Sequence, residues 1–464
     1  MSVASIYRRV AIVSVACVVV SGCSNENVPA GNPDAGDDSK SVAVTVLIDL
    51  SRSFVPSSPA DMGRTDPLAN DIGALRALNR VLVERSSSFE RLKIVWSRIG
   101  SASLAENLLC PPIEMRPSLL KNGRGSIASA DALADTLEAT LASIAEKMRD
   151  PRFHADYTDI GGALAIASKA AGPTYAHRYI VVLSDFIEDL PQRRTSVSFE
   201  LHGETVVLLH RVGFRYSGDL DSHLANVGRW VEHLRQAGAG RVVAIPVQLM
   251  SKLLWASLLE GQPIGTQINV LLADARCFEH DLSRRLRDVV SGIAIHIASR
   301  SDTTFPIAAR WLVTDESGLR PRVSSAVEYI PTLIKNGKSV SRPRDFTAVL
   351  DTVFRREVAC WVPHNEGLAT TLRMLASPAI SPARSCIVVV GSLSSHRHPI
   401  PETVHCPRRT CVLLINLPSG RESGDQIERE LSRWKYAFRR GGAEKVYEIQ
   451  LATFTPDDLE AIEW

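Results

Sequence analysis

Val44-Thr-Val-Leu-Ile-Asp49-Leu-Ser51-Arg-Ser53-Phe54 is the stretch on which the fold turns. Its opening is apolar or β-branched without alternation, the mark of a strand buried on both faces. The chain then leaves that strand on a carboxylate and two hydroxyls at alternate positions. A second version stands at 268–278 (INVLLADARCF), identical at Val, Leu, Arg and Phe, four of eleven places.

Outward from this stretch, helical and apolar runs alternate. The sequence predicts helices over 68–84, 126–148, 160–171 and 221–237. Ser129 and Asp131 are candidate caps of the second, and Gly238 ends the last. Strands are expected at 92–99, 179–183, 204–209 and 241–247. From about residue 267 the order restarts. YIVV (179–182) matches CIVV (386–389), and TVVLL (205–209) matches TCVLL (410–414). RWVEHLRQAGAGRVVAI (229–245) matches RWKYAFRRGGAEKVYEI (433–449) at seven of seventeen positions. An internal duplication of a unit of about 200 residues accounts for this. The expected fold is α/β, with two tandem doubly wound, mainly parallel, Rossmann-like sheets, the second divergent. The domains are read as 42–262 and 263–464.

The N-terminus places the chain. Arg8 and Arg9 precede an apolar run from Val10 to Val20, too short for a bilayer span of about 20 residues. Residues 1–22 therefore read as a signal peptide. Val20-Ser21-Gly22-Cys23 resembles the lipobox of bacterial lipoproteins, which implies lipid on Cys23 as the first mature residue. Ser24 is not the aspartate that commonly retains such proteins in the inner membrane, so outer-membrane anchoring facing the periplasm is expected. Residues 23–41 read as a lipidated, flexible, polar tether. Of 464 residues 45% are hydrophobic, and the formal charge is +2. That balance offers no global field for nucleic acid, and membrane contact is expected through the lipid anchor alone.

After the leader and Cys23, six cysteines remain, with no CxxC pair and no zinc spacing. In an oxidising compartment the expectation is one disulfide from Cys411 to Cys406 or Cys386; packed thiols are the other reading.

Candidate chemistry starts at Asp49, Ser51 and Ser53, hard oxygen donors at the carboxyl end of a strand, where α/β sheets build sites. Such donors suit Mg²⁺ or Mn²⁺. Thr158 stands just before a helix, and Asp185 where the next core strand ends. With these five positions the chain resembles the von Willebrand factor type A domain and its metal-ion-dependent adhesion site. The resemblance implies direct metal ligation by Ser51, Ser53 and often Thr158, with Asp49 and Asp185 acting largely through waters. It also implies an open position for an Asp or Glu of a protein partner. One departure is Phe186, where many members have glycine.

Other residues are read more plainly. Glu188 and Asp189 are solvated loop acids, and Trp230 and Trp434 are core residues at equivalent places. His154, His177 and His210 have no ligand spacing. No nucleophile elbow, phosphate loop, HExxH or dinucleotide motif occurs, so the chain reads as a binding protein rather than an enzyme. Alignment of the copies carries Asp49, Ser51 and Ser53 to Ala273, Ala275 and Cys277, and Thr158 and Asp185 to Asn365 and Ser392. The second domain is therefore expected to lack metal. The rival reading is a two-lobed periplasmic solute-binding lipoprotein, and a metal-dependent hydrolase using Asp49 is a distant third.

Overall fold

A computed structural model describes residues 40–55, 68–100, 107–115, 129–171, 174–190, 198–213, 220–260, 265–300, 306–315, 321–329, 334–335, 338–339, 342–375, 384–393, 400–407, 409–417, 423–451, 453–460 and 462. The leader, Cys23 and residues 24–39 lie outside these. Residues 39–464 form one compact unit, and no described helix is long and apolar enough to cross a membrane.

β1 (Ser41–Asp49) is buried at every residue, as its unbroken apolar run requires. It pairs in parallel with β2 (Arg91–Ile99) and β4 (His177–Ser184). β5 (Thr205–His210) and β6 (Arg241–Pro246) continue the parallel sheet, and the short β3 (Ile113–Met115) closes the other edge antiparallel. The order is β3-β2-β1-β4-β5-β6.

Helices cover both faces. α1 (Ala69–Arg85), α2 (Ala130–Arg149) and α5 (Lys252–Glu260) pack against one. α3 (Ile160–Ala171) and α4 (Leu220–Gln236) pack against the other. α2 buries Leu133, Leu137, Leu141 and Ile144, one stripe at helical spacing, each worth about 1.5–3 kcal/mol on transfer from water. The expected cap is present, because the Ser129 hydroxyl accepts from Ala132 N at 3.2 Å.

The second sheet repeats this plan. β7 (Thr266–Leu272) lies between β8 (Ile307–Val313) and β13 (Arg384–Gly391), followed by β14 (Thr410–Asn416) and β15 (Lys445–Ile449), all parallel. β9 (Arg322–Val323) and β10 (Val327–Tyr329) pair antiparallel with β8. β11 (Ile334–Lys335) and β12 (Lys338–Ser339) form a separate hairpin. α6 (His280–Arg300) and α7 (Pro343–Val353) cover one face; α8 (Leu368–Leu375) and α9 (Gly424–Arg440) cover the other. The described strands thus form two mainly parallel sheets, of six and seven strands.

Strand register tests the sequence alignment. Ile48 pairs with Leu183, and Leu272 with Val390, as the matches at 44–54 and 179–182 require. The match of 205–209 to 410–414 is one residue out. Tyr179 pairs with Thr205, whereas its equivalent Cys386 pairs with Cys411 rather than Thr410. Sheet faces agree: Val207 and Leu209 lie in the core with Ile48, and Leu413 and Ile415 in the core with Leu272. A one-residue slip would turn every side chain of β14 to the wrong face. Identity of Thr with Thr outweighed facing in the sequence comparison.

The expected Cys411 disulfide is not formed, and Cys110, Cys277, Cys360, Cys386, Cys406 and Cys411 are all thiols. Cys386 and Cys411 pack as small apolar groups in the core. Burial pushes the Cys411 thiol up to about 12 and Cys386 well above its usual range. Cys406 instead turns its Sγ to the carbonyl of Val404 at 3.4 Å.

Candidate metal centre

β1 delivers Asp49 to the carboxyl edge of the first sheet, where the carboxylate is fully buried. Its Oδ1 accepts from Ser51 N at 2.8 Å, an Asx-type turn that takes the chain off the strand. Its Oδ2 accepts from the Ser184 hydroxyl at 2.7 Å, one strand away. Ser51 and Ser53 place their Oγ atoms 2.9 Å apart. Phe54 N and Val55 N both donate to Ser51 O, so the serine loop is a tight turn.

Two other loops close on it. Ala155 N donates to Leu50 O at 2.8 Å, and Arg52 N donates to Ala155 O at 3.0 Å. Three residues on, buried Thr158 exchanges backbone hydrogen bonds with Asp189, at 2.8 and 3.1 Å. The 155–158 segment therefore bridges the serine loop and the loop after β4. Asp159 accepts from Gly162 N at 2.7 Å and Glu188 from Gly161 N at 3.1 Å, so both carboxylates serve the first turn of α3. Glu188 is half-buried there rather than a solvated loop acid.

Asp185 follows β4 and is also fully buried. Oδ1 accepts from Ile187 N at 3.1 Å, while Oδ2 has no hydrogen-bond partner among the described residues. Gly213, three residues past β5, lies directly against it. A β-carbon there would fall 2.3 Å from Asp185 Oδ2 and 2.7 Å from Ser53 O. Only glycine leaves room between the orphaned oxygen and the serine loop.

Electrostatics follow from this packing. Burial first, then the Asp49 charge, push Asp185 up to about 7. Burial also raises Asp49, against the hydrogen bonds from Ser51 and Ser184. Arg211 lies close enough to oppose both shifts. Its charge is already matched by buried Asp71, whose carboxylate takes Arg211 Nε at 2.9 and 3.1 Å and Nη2 at 2.9 Å. The guanidinium also stacks 3.8 Å from the Phe54 ring centroid. Asp49 and Asp185 together therefore form a surplus of buried negative charge.

Phe186 adopts a left-handed backbone at φ 60°, a region that glycine enters freely and a bulky residue enters at a cost of roughly 1–2 kcal/mol. Its ring lies in the core with Ile160 and Leu164. Its N–H donates to the Ser184 hydroxyl at 3.0 Å, and its carbonyl accepts from Trp230 Nε1 at 3.2 Å. Trp230 is thus more than packing, because it ties down the backbone next to Asp185. In the second sheet Trp434 donates in the same way to Leu393 O at 3.1 Å.

Asp49 ends β1, and Ser51, Ser53, Thr158 and Asp185 lie on loops that backbone hydrogen bonds join at the same sheet edge. Sequence reading missed Ser184, Arg211, Asp71 and Gly213, whose roles depend on neighbours far along the chain. It also missed the buried pair His210–His223, with Nδ1 and Nε2 3.1 Å apart. In the second sheet Ala273 is buried at the Asp49 position, and Asp274 one residue on pairs with Arg276 at 2.7 Å. Ser392 follows β13 at the Asp185 position, and Asn365 opens a 3₁₀ turn before α8.

The residues fit a small hard cation by two observations: the unpartnered buried Asp185 Oδ2, and the space that Gly213 preserves beside it. No group of three or more His, Cys, Asp or Glu is gathered for a metal among the described residues. Two carboxylates with hydroxyls are a different donor set.

No protein-family model and no curated protein matches the chain. Two crystal forms of proximal thread matrix protein 1 from the mussel byssus align with it at 11% identity, over 91% of this chain and 94% or 93% of theirs. Their TM-scores are 0.24 and 0.22, too low to carry an argument about the site.

Proposed function

We propose that this chain is a lipid-anchored bacterial envelope protein that binds a protein partner through Mg²⁺ or Mn²⁺ in its first half. In this reading the first half is a von Willebrand A-like domain, and the second is a divergent copy without metal. Asp49, Ser51, Ser53, Thr158 and Asp185 would hold the ion. The observation that carries the reading is the surplus of negative charge at Asp49 and Asp185, with an unpartnered oxygen facing Gly213. A divalent cation offsets two buried carboxylates, and hydroxyl oxygens suit its hard character. Once bound, the ion supplies a positive centre for a partner's Asp or Glu. This chain's own residues do the rest: Ser184 fixes the Asp49 carboxylate, Trp230 and Phe186 fix the Asp185 loop, and Arg211 pins the serine loop through Phe54.

Calorimetric titration of the full chain with Mn²⁺ tests this. The expected result is one site per chain, lost in Asp49→Ala with the circular dichroism spectrum unchanged. Absence of binding in the parent overturns it. A pull-down from envelope extract should yield a partner that chelator releases.

A further inference from the structure

Two non-glycine residues among those described have a left-handed backbone, Phe186 and Arg409. The first belongs to the metal centre. Arg409, at φ 58°, sits where the first sheet has Gly203 at φ 85°, by the register that equates Thr205 with Cys411. Backbone of this kind favours glycine, so an exposed arginine held there points to a use for its side chain.

Its surroundings give that use a chemistry. Arg409 immediately precedes β14, and its carbonyl accepts from Ser385 N at 3.1 Å, which sets exposed Arg384 beside it. Cys406 N donates to Gly441 O at 2.9 Å, holding this segment against the end of α9, where Arg439 and Arg440 are exposed. Lys445 opens β15, the next strand. Two acids face the same edge, Glu402 at 3.9 Å from Arg440, and Glu444. The equivalent positions of the first sheet are His177, Gly203, Arg235, Gln236 and Arg241, so five cations stand where the first sheet has two. Adjacent strands lie about 4.8 Å apart, so the three strand-start cations, Arg384, Arg409 and Lys445, form a row rather than a groove. Tyr436, 63% exposed, precedes Arg440 by one helical turn, and a tyrosine beside cations suits a membrane–water boundary.

We propose that this strand-start edge of the second sheet binds the phosphate headgroups of an anionic membrane. This contact goes beyond the lipid anchor and does not depend on the metal site.

The test uses the full chain with Cys23→Ala, so that no acyl group holds it, and vesicles with and without phosphatidylglycerol in phosphatidylcholine. Sedimentation should show preference for the anionic vesicles at low salt. That preference should disappear near 1 M salt, where the screening length falls to about 3 Å. Arg409→Gly should weaken the anionic binding about fivefold, the effect of one basic residue at such a surface. Its melting temperature should hold or rise, because the strain is relieved. Arg384→Gln with Arg409→Gly and Arg440→Gln should weaken it about a hundredfold. Equal binding to neutral vesicles, unchanged binding by Arg409→Gly, or capture of short RNA duplexes in place of vesicles would each overturn the proposal. None of these substitutions touches Asp49 or Asp185, so Mn²⁺ titration of the same samples separates its failure from that of the metal reading.

Discussion

The two sheets share strand order, helix placement and a tryptophan donating to the carbonyl two residues after β4 or β13, the third parallel strand of each, yet they differ in charge. Asp49 becomes Ala273, Ser184 becomes Gly391, Asp185 becomes Ser392 and Arg211 becomes Leu417 in the equivalent positions. His210 becomes Asn416, whose side chain takes up Leu393 N at 3.0 Å. The apolar runs and the Trp230 and Trp434 clamps survive in both halves, whereas the buried carboxylate pair Asp49–Asp185 occurs in one; the second half buries charge elsewhere, at Asp274, Arg310 and Glu430. The fold therefore rests on burial and register, and the charges are an addition that the fold tolerates. Two buried carboxylates oppose folding unless something compensates them, so under the proposed function the compensating ion would sit in the first half.

The comparison is broken most directly by giving the first half the residues of the second. Asp49→Ala with Asp185→Ser should reduce Mn²⁺ affinity at least about a hundredfold, some 3 kcal/mol. It should also raise metal-free thermal stability, since two desolvated carboxylates are gone. Retained Mn²⁺ binding, or collapse of the fold, would show that the halves do not differ in this way.

Next in size is acid sensitivity. Burial lowers His210 to about 3 and His223 to about 4, so both fold as neutral rings. Unfolded histidines take up protons below about 6.5, which draws the equilibrium toward unfolding. Their contribution to stability should be present above that pH and be lost as pH falls toward 3, by several kcal/mol for the pair. His210→Asn, the residue of the second half, should flatten the loss in a urea-unfolding series from pH 7 to pH 4. An equally steep loss in that variant would remove the histidines as its cause.

Asp185 gives the opposite slope. Its folded value near 7 lies above the ordinary 3.8, so the folded protein holds that proton more tightly. Without metal, this contribution is complete below about 4 and is lost as pH rises through 7, on the order of a few kcal/mol. Mg²⁺ should cancel the decline and Asp185→Asn should abolish it. Unfolding curves with and without chelator at pH 5 and pH 8 measure both effects.

Much of this was legible in the sequence because it is periodic or local. β1, β4 and the stripe on α2 announce themselves by apolar spacing, and Asp49-x-Ser51-x-Ser53 is a motif within five residues. What was illegible is lateral. Arg211 meets Asp71 across 140 positions, and Ser184 meets Asp49 across 135. Neither pair leaves a pattern along one strand. The β14 slip has the same origin: an alignment scores identity, whereas the sheet selects the residue that faces the core. Phe186 departs from the family's glycine in its side chain, yet its backbone takes the conformation that glycine would.

The tryptophan clamps allow the finest comparison. Trp230 and Trp434 each donate one hydrogen bond to a loop carbonyl, at 3.2 and 3.1 Å. Replacing either by phenylalanine removes the donor and keeps most of the ring, so each variant should lose about 1–2 kcal/mol of stability. The losses should be similar because the bonds occupy equivalent places. Metal affinity should separate them. Trp230→Phe frees the Phe186 carbonyl, and with it a strained turn beside Asp185, so Mn²⁺ binding should weaken about threefold to tenfold. Trp434→Phe loosens a loop that carries Ser392 and no carboxylate, so Mn²⁺ binding should stay at the parent value. Equal effects of the two substitutions on Mn²⁺ titration would mean that the clamp acts on stability alone, and that positioning of Asp185 rests on Ser184 and Gly213 instead.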